Sequence, residues 1–261
     1  LLKNKKIDIL ISTGGYMSLP LCIASKIFNI KIFLFEPNMV LGRANRLFLR
    51  FSKKIFCYSD KIKNFPANLK KKILIIKPLL RREFYSIKLN DNFENKINLL
   101  IIGGSQGAEL FDSVVNDTII KLSKKYEFKI FQQTNSKNFQ KIKNHYNKHN
   151  IKNELFDFNE KVSDYMQQSN LCLTRAGAST LAELTFLNIP YLAIPLPFAK
   201  DNHQQENANF YKDKGCNWIL NQSELNETVL TSKLINIIEN KAQYFDKKKK
   251  YEKFKLSKYM E

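Results

Sequence analysis

The chain has 261 residues and is 44% hydrophobic, so it is long enough to bury a core in one large domain or in two smaller ones. Its longest apolar runs, such as residues 32–35 and 99–102, are far shorter than the roughly 20 residues that cross a bilayer. Lysine and arginine number 43 against 24 aspartates and glutamates, and the net charge of +19 favours a polyanion or an anionic lipid surface as partner.

Short apolar strands alternate with helical patterns along the chain, which predicts an α/β protein with parallel sheets covered by helices. Predicted strands lie at residues 7–12, 31–35, 54–58, 73–76, 97–102, 129–132, 154–156, 171–173 and 191–194. Predicted helices lie at residues 18–28, 43–51, 109–125, 136–148, 161–168, 179–187 and 204–214, and the tail is helical from Ser223. We therefore expect two open α/β domains at residues 1–77 and 78–244, and a C-terminal helix at 245–261 that packs back on the first domain.

Cysteines and histidines give no sign of a metal site. The four cysteines are scattered in or beside apolar segments, as buried free thiols are, and this fits a reducing cytoplasm. His145 and His149 are four residues apart among lysines, which favours a solvated helix face over a pair of metal ligands. We predict that no metal or other cofactor is bound.

The sharpest local signal is the segment 98–108, an apolar strand that ends in a glycine-rich turn before a helix. Gly103, Gly104 and Gly107 permit positive φ and let a ligand approach the backbone, and the helix start attracts negative charge. These features favour a diphosphate. The spacing differs from the G-x-G-x-x-G dinucleotide fingerprint, and no Walker lysine follows. The alternative is a tight turn that binds nothing.

A second strand ends at residues 173–177, and the next helix is predicted to begin at Ser179 or Thr180. Glu183, one turn into this helix, is well placed to accept hydrogen bonds from both hydroxyls of a ribose. The alternative is a capping box, in which Ser179 or Thr180 caps the helix and Glu183 completes the pair.

A third strand end leads into a proline-rich loop and an amide-rich helix over residues 194–208. Gln204 and Gln205 offer donors and acceptors that suit the hydroxyls of a sugar, although a polar helix surface is the alternative. All three motifs follow predicted strands of one domain, at the edge where doubly wound sheets bind ligands.

Five motifs along the chain together carry a family resemblance. They are Gly14-Gly15-Tyr16 with Ser18 and Pro20, Glu36-Pro37-Asn38 with Gly42 and Asn45, Gly103-Gly104-Ser105-Gln106-Gly107-Ala108, Arg175-Ala176-Gly177-Ala178 with Thr180 and Glu183, and Asp201-Asn202-His203-Gln204 with Asn207-Ala208. In this order they resemble the MurG family, the N-acetylglucosaminyltransferases that convert lipid I to lipid II in bacterial peptidoglycan synthesis. The resemblance implies the GT-B architecture, two Rossmann-like domains with parallel sheets facing across a cleft, with the first domain incomplete here.

The resemblance also implies binding residues for each substrate. For UDP-GlcNAc they are Arg81 or Arg82, Ser105, Gln106, Phe158, Asn159, Ala178, Ser179, Thr180, Glu183, His203 and Gln204. Ser105 and Gln106 would face the diphosphate and sugar, Phe158 and Asn159 the uracil, and Glu183 the ribose. For the undecaprenyl-linked muramoyl-pentapeptide acceptor they are Gly14, Gly15, Tyr16, Glu36, Asn38 and Asn45.

One family feature is absent from this sequence. The family begins with a Gly-Gly-Thr-Gly-Gly-His loop whose histidine is a proposed general base, and neither the loop nor that histidine occurs here. We therefore expect the chain to be an N-terminally truncated fragment, and we assign no catalytic residue. The implied reaction is an inverting, metal-independent transfer of GlcNAc to the muramoyl C4 hydroxyl.

The implied location is the cytoplasmic face of the bacterial inner membrane, as a peripheral protein. Residues 43–54 form a basic and apolar stretch that suits an anionic lipid surface. The alternative is a helix packed within the first domain, with Leu47 and Phe51 in its core.

Two rival functions remain at this point. Another GT-B UDP-sugar transferase, such as a diacylglycerol glycosyltransferase, would share Glu183 and the glycine turn but would not need the acceptor motifs. A nucleic-acid binder would explain the charge, yet no zinc-finger spacing or RNP motif accompanies it, and an excess of solvated lysines also keeps a chain soluble whatever it binds. We predict no nucleic-acid partner.

Overall fold

A computed structural model of the chain describes residues 6–87, 96–103, 111–157, 162–197 and 199–256. It divides into two compact units, the first comprising Leu1–Leu79 and Phe198–Asn207 and the second comprising Leu80–Pro197 and Ala208–Glu261. The division after Leu79 lies close to the predicted boundary at residues 77 and 78. The segment 199–207, however, belongs to the first unit, whereas the sequence prediction assigns it to the second.

The first unit is built on a four-stranded parallel sheet in the order β1-β2-β3-β4. The strands are β1 (Ile9–Ser12), β2 (Lys31–Glu36), β3 (Lys54–Cys57) and β4 (Ile73–Ile75). Helix α1 (Leu19–Ile27) connects β1 to β2, and helix α2 (Arg43–Phe48) lies between β2 and β3. Leu34 of β2 and Ile55 of β3 are fully buried and form the centre of this unit's core.

Helix α2 is shorter than the sequence predicts. It ends at Phe48, and the Lys72 ammonium donates to the carbonyl oxygens of Leu49, Arg50 and Ser52 at distances of 2.9, 2.7 and 2.6 Å. The ammonium thus satisfies carbonyl oxygens of the turn that follows the helix. Burial lowers the pKa of this lysine, with Lys53 and Lys71 adding to the effect.

The burial of residues 43–54 tests the alternative that this stretch packs within the first domain. Leu47 is 64% exposed and Phe51 is 49% exposed, so the expectation that both lie in the core is wrong. Phe48 and Leu49 fill that place instead. Leu47 lies on the exposed side of α2 and Phe51 lies beyond the end of the helix, so the i and i+4 spacing does not place both residues in the core.

The second unit contains a six-stranded parallel sheet in the order β10-β9-β8-β5-β6-β7. Its strands are β5 (Lys96–Ile102), β6 (Glu127–Gln133), β7 (Lys152–Phe156), β8 (Leu171–Thr174), β9 (Tyr191–Ala193) and β10 (Asn217–Ile219). Its described helices are α3 (Asn116–Ser123), α4 (Phe139–Lys148), α5 (Val162–Gln168), α6 (Ala178–Phe186), α7 (His203–Asp213, which begins in the first unit), α8 (Glu227–Glu239) and α9 (Lys241–Leu256).

Strand β5 is covered on both faces. Leu99 and Ile101 belong to one hydrophobic cluster, and Leu100 and Ile102 belong to the other. Successive side chains of a strand point to opposite faces, so this alternation places a packed layer on each side of the sheet. The predicted α/β class with parallel sheets is confirmed.

Two local predictions differ from the structure. Strand β10 was not predicted, because its three residues are too few to show a period. The described part of the helix predicted from Glu109 starts with a π-helical turn, Phe111–Val115, before α3.

The C-terminal helix α9 buries Tyr244 and Tyr251 in the two clusters of the second unit. Its packing on the first domain stays a prediction.

The expectations for the cysteines, for His145 and for membrane-spanning helices can also be compared with the structure. All four cysteines are free and buried, as predicted, and His145 lies exposed on α4 at 3.3 Å from Asp117. None of the helices within the described ranges is long and apolar enough to cross a membrane.

The buried centre of the first unit generates a stability prediction. Leu34→Ala should lower the free energy of unfolding of this unit by about 2–5 kcal/mol, because it removes apolar contacts and leaves a cavity. Ile27→Ala, at a position that is 73% exposed, is the control and should change it by less than about 0.5 kcal/mol. Denaturant titration of both variants checks this, and equal losses would contradict the described core.

Candidate functional site

The chain changes direction across the second sheet between β5 and β8. From β5 it proceeds to β6 and β7 on one side, while β8, β9 and β10 lie on the other. Ile102 is paired with Thr174, and the Arg175 amide donates to the Ile102 carbonyl oxygen at 3.1 Å. The turns after β5 and β8 therefore leave the same sheet edge side by side, at the switch point where open α/β sheets bind ligands.

The glycine turn is described only at its start. Gly103 is buried at the end of β5. Gly104, Ser105, Gln106 and Gly107 lie outside the described residues, as do Phe158 and Asn159. Their roles toward the diphosphate, sugar and uracil stay predictions.

Helix α6 begins one residue earlier than predicted, at Ala178, with Gly177 as its N-cap. No side chain caps it, so neither Ser179 nor Thr180 takes that role. Glu183 is the sixth residue of the helix, too far from the cap for a capping box, and that alternative is wrong. The first-turn amides of this nine-residue helix are thus not satisfied by a side-chain cap, which suits an anion.

Glu183 is 7% exposed and has a cationic partner. Its Oε1 atom lies 3.2 Å from Nε of Arg81. Burial raises the pKa of the Glu183 carboxyl, and the charge and hydrogen bond of Arg81 oppose that rise. A carboxylate that is fixed and shielded in this way can accept hydrogen bonds from two neighbouring hydroxyls.

Arg81 rather than Arg82 is the arginine that the structure brings to Glu183. Its guanidinium carbon lies 4.7 Å from the ring centre of Phe84, which is fully buried. Arg81 also lies 3.5 Å from the exposed carboxylate of Glu83. The stacking contact and the two carboxylates fix the guanidinium beside Glu183.

Arg175 is a buried side chain at the same edge of the sheet, and it contacts three of the elements that meet there. It is 7% exposed, and its Nη1 donates to the Ile194 carbonyl oxygen at 3.0 Å. Its guanidinium lies 5.0 Å from the ring centre of Phe111, and burial lowers its pKa. This side chain ties the ends of β8 and β9 to the π-helical turn before α3.

In the first unit, the six predicted acceptor residues line one pocket with a volume of ≈ 380 Å³. This volume lies within the range of small-molecule sites. The lining residues are Thr13, Gly14, Gly15, Tyr16, Leu19, Glu36, Asn38, Val40, Leu41, Gly42, Arg43, Ala44, Asn45, Leu47, Asp201 and His203. His203, predicted to contact the donor sugar, therefore lies with the acceptor set, while the partly buried Gln204 follows it on α7.

Glu36 organises this pocket. Its Oε1 accepts hydrogen bonds from the backbone and side-chain amides of Asn38 at 3.3 and 3.1 Å, and its Oε2 accepts from Gly42 N at 2.8 Å and Asn45 Nδ2 at 2.9 Å. The carboxylate is 3% exposed and is held by four N–H donors. Such saturation favours a positioning role for Glu36 over proton transfer.

Asn45 lies against Gly14 in the wall of the pocket. Its amide nitrogen also donates to the Phe35 carbonyl oxygen at 3.0 Å, while its buried Oδ1 has no hydrogen-bond partner among the residues that the structure describes. Gly14 has a φ of 81°, and a Cβ atom there would lie 3.3 Å from the Asn45 amide nitrogen. Only glycine fits this backbone and this approach without strain.

Two of the lining residues that the sequence analysis did not assign to the pocket carry opposite charges. Arg43 and Asp201 form a two-pronged ion pair, with Nε to Oδ2 and Nη2 to Oδ1 both at 3.1 Å. A signal for each was present, since Arg43 stands between Gly42 and Asn45 and Asp201 opens the Asp-Asn-His-Gln motif. Neither charge pattern nor spacing connects two positions so far apart in the chain.

Comparison with known proteins places these sites in a family. Residues 98–261 match the Glycosyltransferase family 28 C-terminal domain, and residues 1–57 match the Glycosyltransferase family 28 N-terminal domain. A Pelagibacter ubique protein named UDP-N-acetylglucosamine--N-acetylmuramyl-(pentapeptide) pyrophosphoryl-undecaprenol N-acetylglucosamine transferase is 59% identical over 97% of this chain and 71% of its own length. The chain belongs to the MurG family of glycosyltransferases. A Rickettsia felis protein of the same name is 33% identical over 92% of this chain and 70% of its own length.

Solved structures agree with membership of the MurG family. The crystal structure of Acinetobacter baumannii MurG matches with a TM-score of 0.75 and 25% identity over 96% of this chain and 70% of that one. A UDP-GlcNAc 2-epimerase from Neisseria meningitidis, bound to UDP-GlcNAc, matches with a TM-score of 0.64 and 14% identity over 96% of this chain and 74% of that one, which shows a shared fold alone. The predicted family and fold class are confirmed.

Metal-ligating side chains are not clustered in the part of the chain that the structure describes. No group of three or more histidine, cysteine, aspartate or glutamate residues in those ranges is arranged to hold a metal ion.

The burial of Glu183 generates a prediction about stability and pH. Because its pKa is raised above 4.5 in the folded state, the fold binds more protons than the unfolded chain above that pH, and wild-type stability falls as the pH rises. Glu183→Gln removes this loss, so it should unfold at a higher temperature than the wild type at pH 7. Near pH 4 the two proteins should be alike, and a difference independent of pH would contradict the raised pKa.

Proposed function

We propose that this MurG-family chain transfers GlcNAc from UDP-GlcNAc to the C4 hydroxyl of a lipid-linked muramoyl-pentapeptide, with inversion at the anomeric carbon. The observation that carries the proposal is the buried Glu183, paired with Arg81, next to the switch point of the second sheet. The name of the Pelagibacter ubique relative supports both substrates.

On the donor side, we assign the ribose hydroxyls to the Glu183 carboxylate. The first-turn amides of α6, at Ala178, Ser179 and Thr180, would border the diphosphate. When the bond between the anomeric carbon and UDP breaks, negative charge develops on the leaving diphosphate. Fixed amides and the helix dipole stabilise such charge without reorganisation. We propose on this basis that these groups supply the stabilisation and that no metal is required.

On the acceptor side, we assign the muramoyl diphosphate to the pocket of the first unit. Glu36 holds Asn38 and Asn45 in place at the wall of the pocket. The C4 hydroxyl oxygen forms the new bond to the anomeric carbon and loses its proton to a general base. We do not give that role to Glu36, because its oxygens already accept four hydrogen bonds.

The pocket also favours this acceptor over the rival functions. A diacylglycerol glycosyltransferase would need Glu183 but not the six acceptor residues, and here all six line one cavity. A nucleic-acid partner has only the net charge of +19 in its favour.

We further propose that the chain binds the cytoplasmic face of an anionic membrane peripherally. Leu47 and Phe51 are exposed, Arg46 and Arg50 are exposed beside them, and the Lys26 ammonium lies 3.7 Å from the centre of the Phe51 ring. Apolar side chains surrounded by cations suit the boundary between headgroups and acyl chains.

Binding of UDP tests the donor site. Glu183→Gln should weaken UDP affinity by about 10- to 100-fold, because the ribose loses hydrogen bonds to a charged acceptor. Isothermal titration calorimetry measures this. Glu83→Gln, which removes the exposed carboxylate beside the same Arg81, is the control and should change the affinity by less than about twofold. Unchanged affinity in folded Glu183→Gln would refute the ribose assignment.

Sedimentation with vesicles of phosphatidylglycerol and phosphatidylethanolamine tests the membrane surface. Binding should decrease as salt is added, because the attraction is partly electrostatic. Replacing Leu47 and Phe51 together by serine should weaken it by about tenfold or more through lost apolar burial. Leu79→Ser removes an exposed leucine outside this stretch and should have little effect. Binding that neither salt nor the double variant reduces would contradict the assignment.

A further inference from the structure

We propose that Arg43 is a phosphate-binding residue for the acceptor diphosphate, and that Asp201 occupies its guanidinium until the acceptor arrives. The inference rests on the proposed function and deepens it, because it names the residue that recognises the anionic group. Both residues line the pocket of the first unit together with Gly14 and Gly15.

The geometry of the ion pair is that of an anion site. Nε and Nη2 of Arg43 each donate at 3.1 Å to a different oxygen of the Asp201 carboxylate. A phosphate group presents two oxygens to the same fork, and arginine is preferred where such planar, two-pronged recognition is needed. The carboxylate therefore occupies the donors that a phosphate would use.

The pair is weak enough to exchange. Arg43 is 70% exposed and Asp201 is 31% exposed at the side chain, and ion pairs that are open to solvent stabilise a fold only weakly. A diphosphate carries more charge than one carboxylate and competes well for the guanidinium. Release of Asp201 then costs little of the binding energy gained.

The segment that carries Asp201 does not depend on this pair for its position. Asn207 accepts from Met39 N at 2.9 Å and donates to Asn38 Oδ1 at 3.0 Å. Glu206 forms an ion pair with Lys63 at 2.8 Å. Asp201 can therefore leave Arg43 while residues 203–207 stay attached to the first unit.

The backbone at Asp201 is also unusual. Asp201 and Asn202 have φ values of 55° and 57°, two successive non-glycine residues in the left-handed region immediately before α7. Residues other than glycine adopt this region at a cost, and such strain clusters at binding sites and switch regions. This turn aims the carboxylate at Arg43.

Acceptor binding tests the inference with two probes, a short-chain prenyl-diphospho-muramoyl-pentapeptide and a muramoyl-pentapeptide that lacks the diphosphate. Arg43→Ala should weaken binding of the first probe by about 10- to 100-fold and leave the second unchanged. Arg43→Lys should recover only part of the loss, because it keeps the charge without the fork. Equal loss for both probes would overturn the inference.

Substitution of Asp201 should change the affinity for the diphosphate probe in the opposite direction. Asp201→Asn should tighten binding of the diphosphate probe by up to about fivefold, because it releases the guanidinium. The gain should vanish when Arg43 is already alanine. An Asp201→Asn variant that binds more weakly, or that gains as much without Arg43, would overturn the exchange.

The Lys63 and Glu206 ion pair provides matched controls. Lys63→Ala removes one positive charge from the same unit and Glu206→Gln breaks an ion pair that holds the same segment, yet neither residue lines the pocket. Both should leave the preference for the diphosphate probe unchanged, and equal effects at these positions would overturn the role of Arg43. UDP titration of the same wild-type sample tests the proposed function separately: intact UDP binding without any effect of Arg43→Ala would refute only the inference.

Discussion

The burial of β5 on both faces is the constraint on which the second unit depends. A strand with apolar side chains on both sides must be covered by helices, and a parallel sheet covered in this way brings the carboxyl ends of its strands to one edge. Gly103 and the start of α6 follow neighbouring strands because β8 pairs with β5. Glu183 lies on the helix that follows β8, so its position depends on the pairing of β8 with β5. Strand β5 itself contributes no predicted site residue.

The two buried carboxylates of the candidate sites are stabilised in different ways. Glu36 is surrounded by neutral N–H donors that use its capacity as an acceptor, so it acts as a fixed part of the pocket wall. Glu183 has one cationic partner, Arg81, and keeps acceptor capacity for a ligand. The cost of burying Glu183 is visible in its raised pKa, as expected where a site retains polar groups for binding rather than for stability.

Most of the fold could be predicted from the sequence, because apolar periods and turn residues are local signals. Nine strands were predicted, and the six acceptor residues that the resemblance implied gather in one pocket. The failures have two kinds of cause. The start of α6 depends on local backbone geometry at Gly177, whereas the contacts of Lys72 after α2 and the pairing of Arg43 with Asp201, 158 positions apart, depend on the fold. None of these leaves a periodic trace in the sequence.

The Lys72 ammonium binds the backbone of a segment of the first unit that carries an exposed aromatic side chain. It binds three carbonyl oxygens of the segment that follows α2, and in the same segment the Phe51 side chain is exposed. The exposed Phe51 thus lies in a short segment whose carbonyl oxygens are held by an ammonium group. A neutral residue in place of Lys72 would leave three carbonyl oxygens without this donor and loosen the segment that carries Phe51.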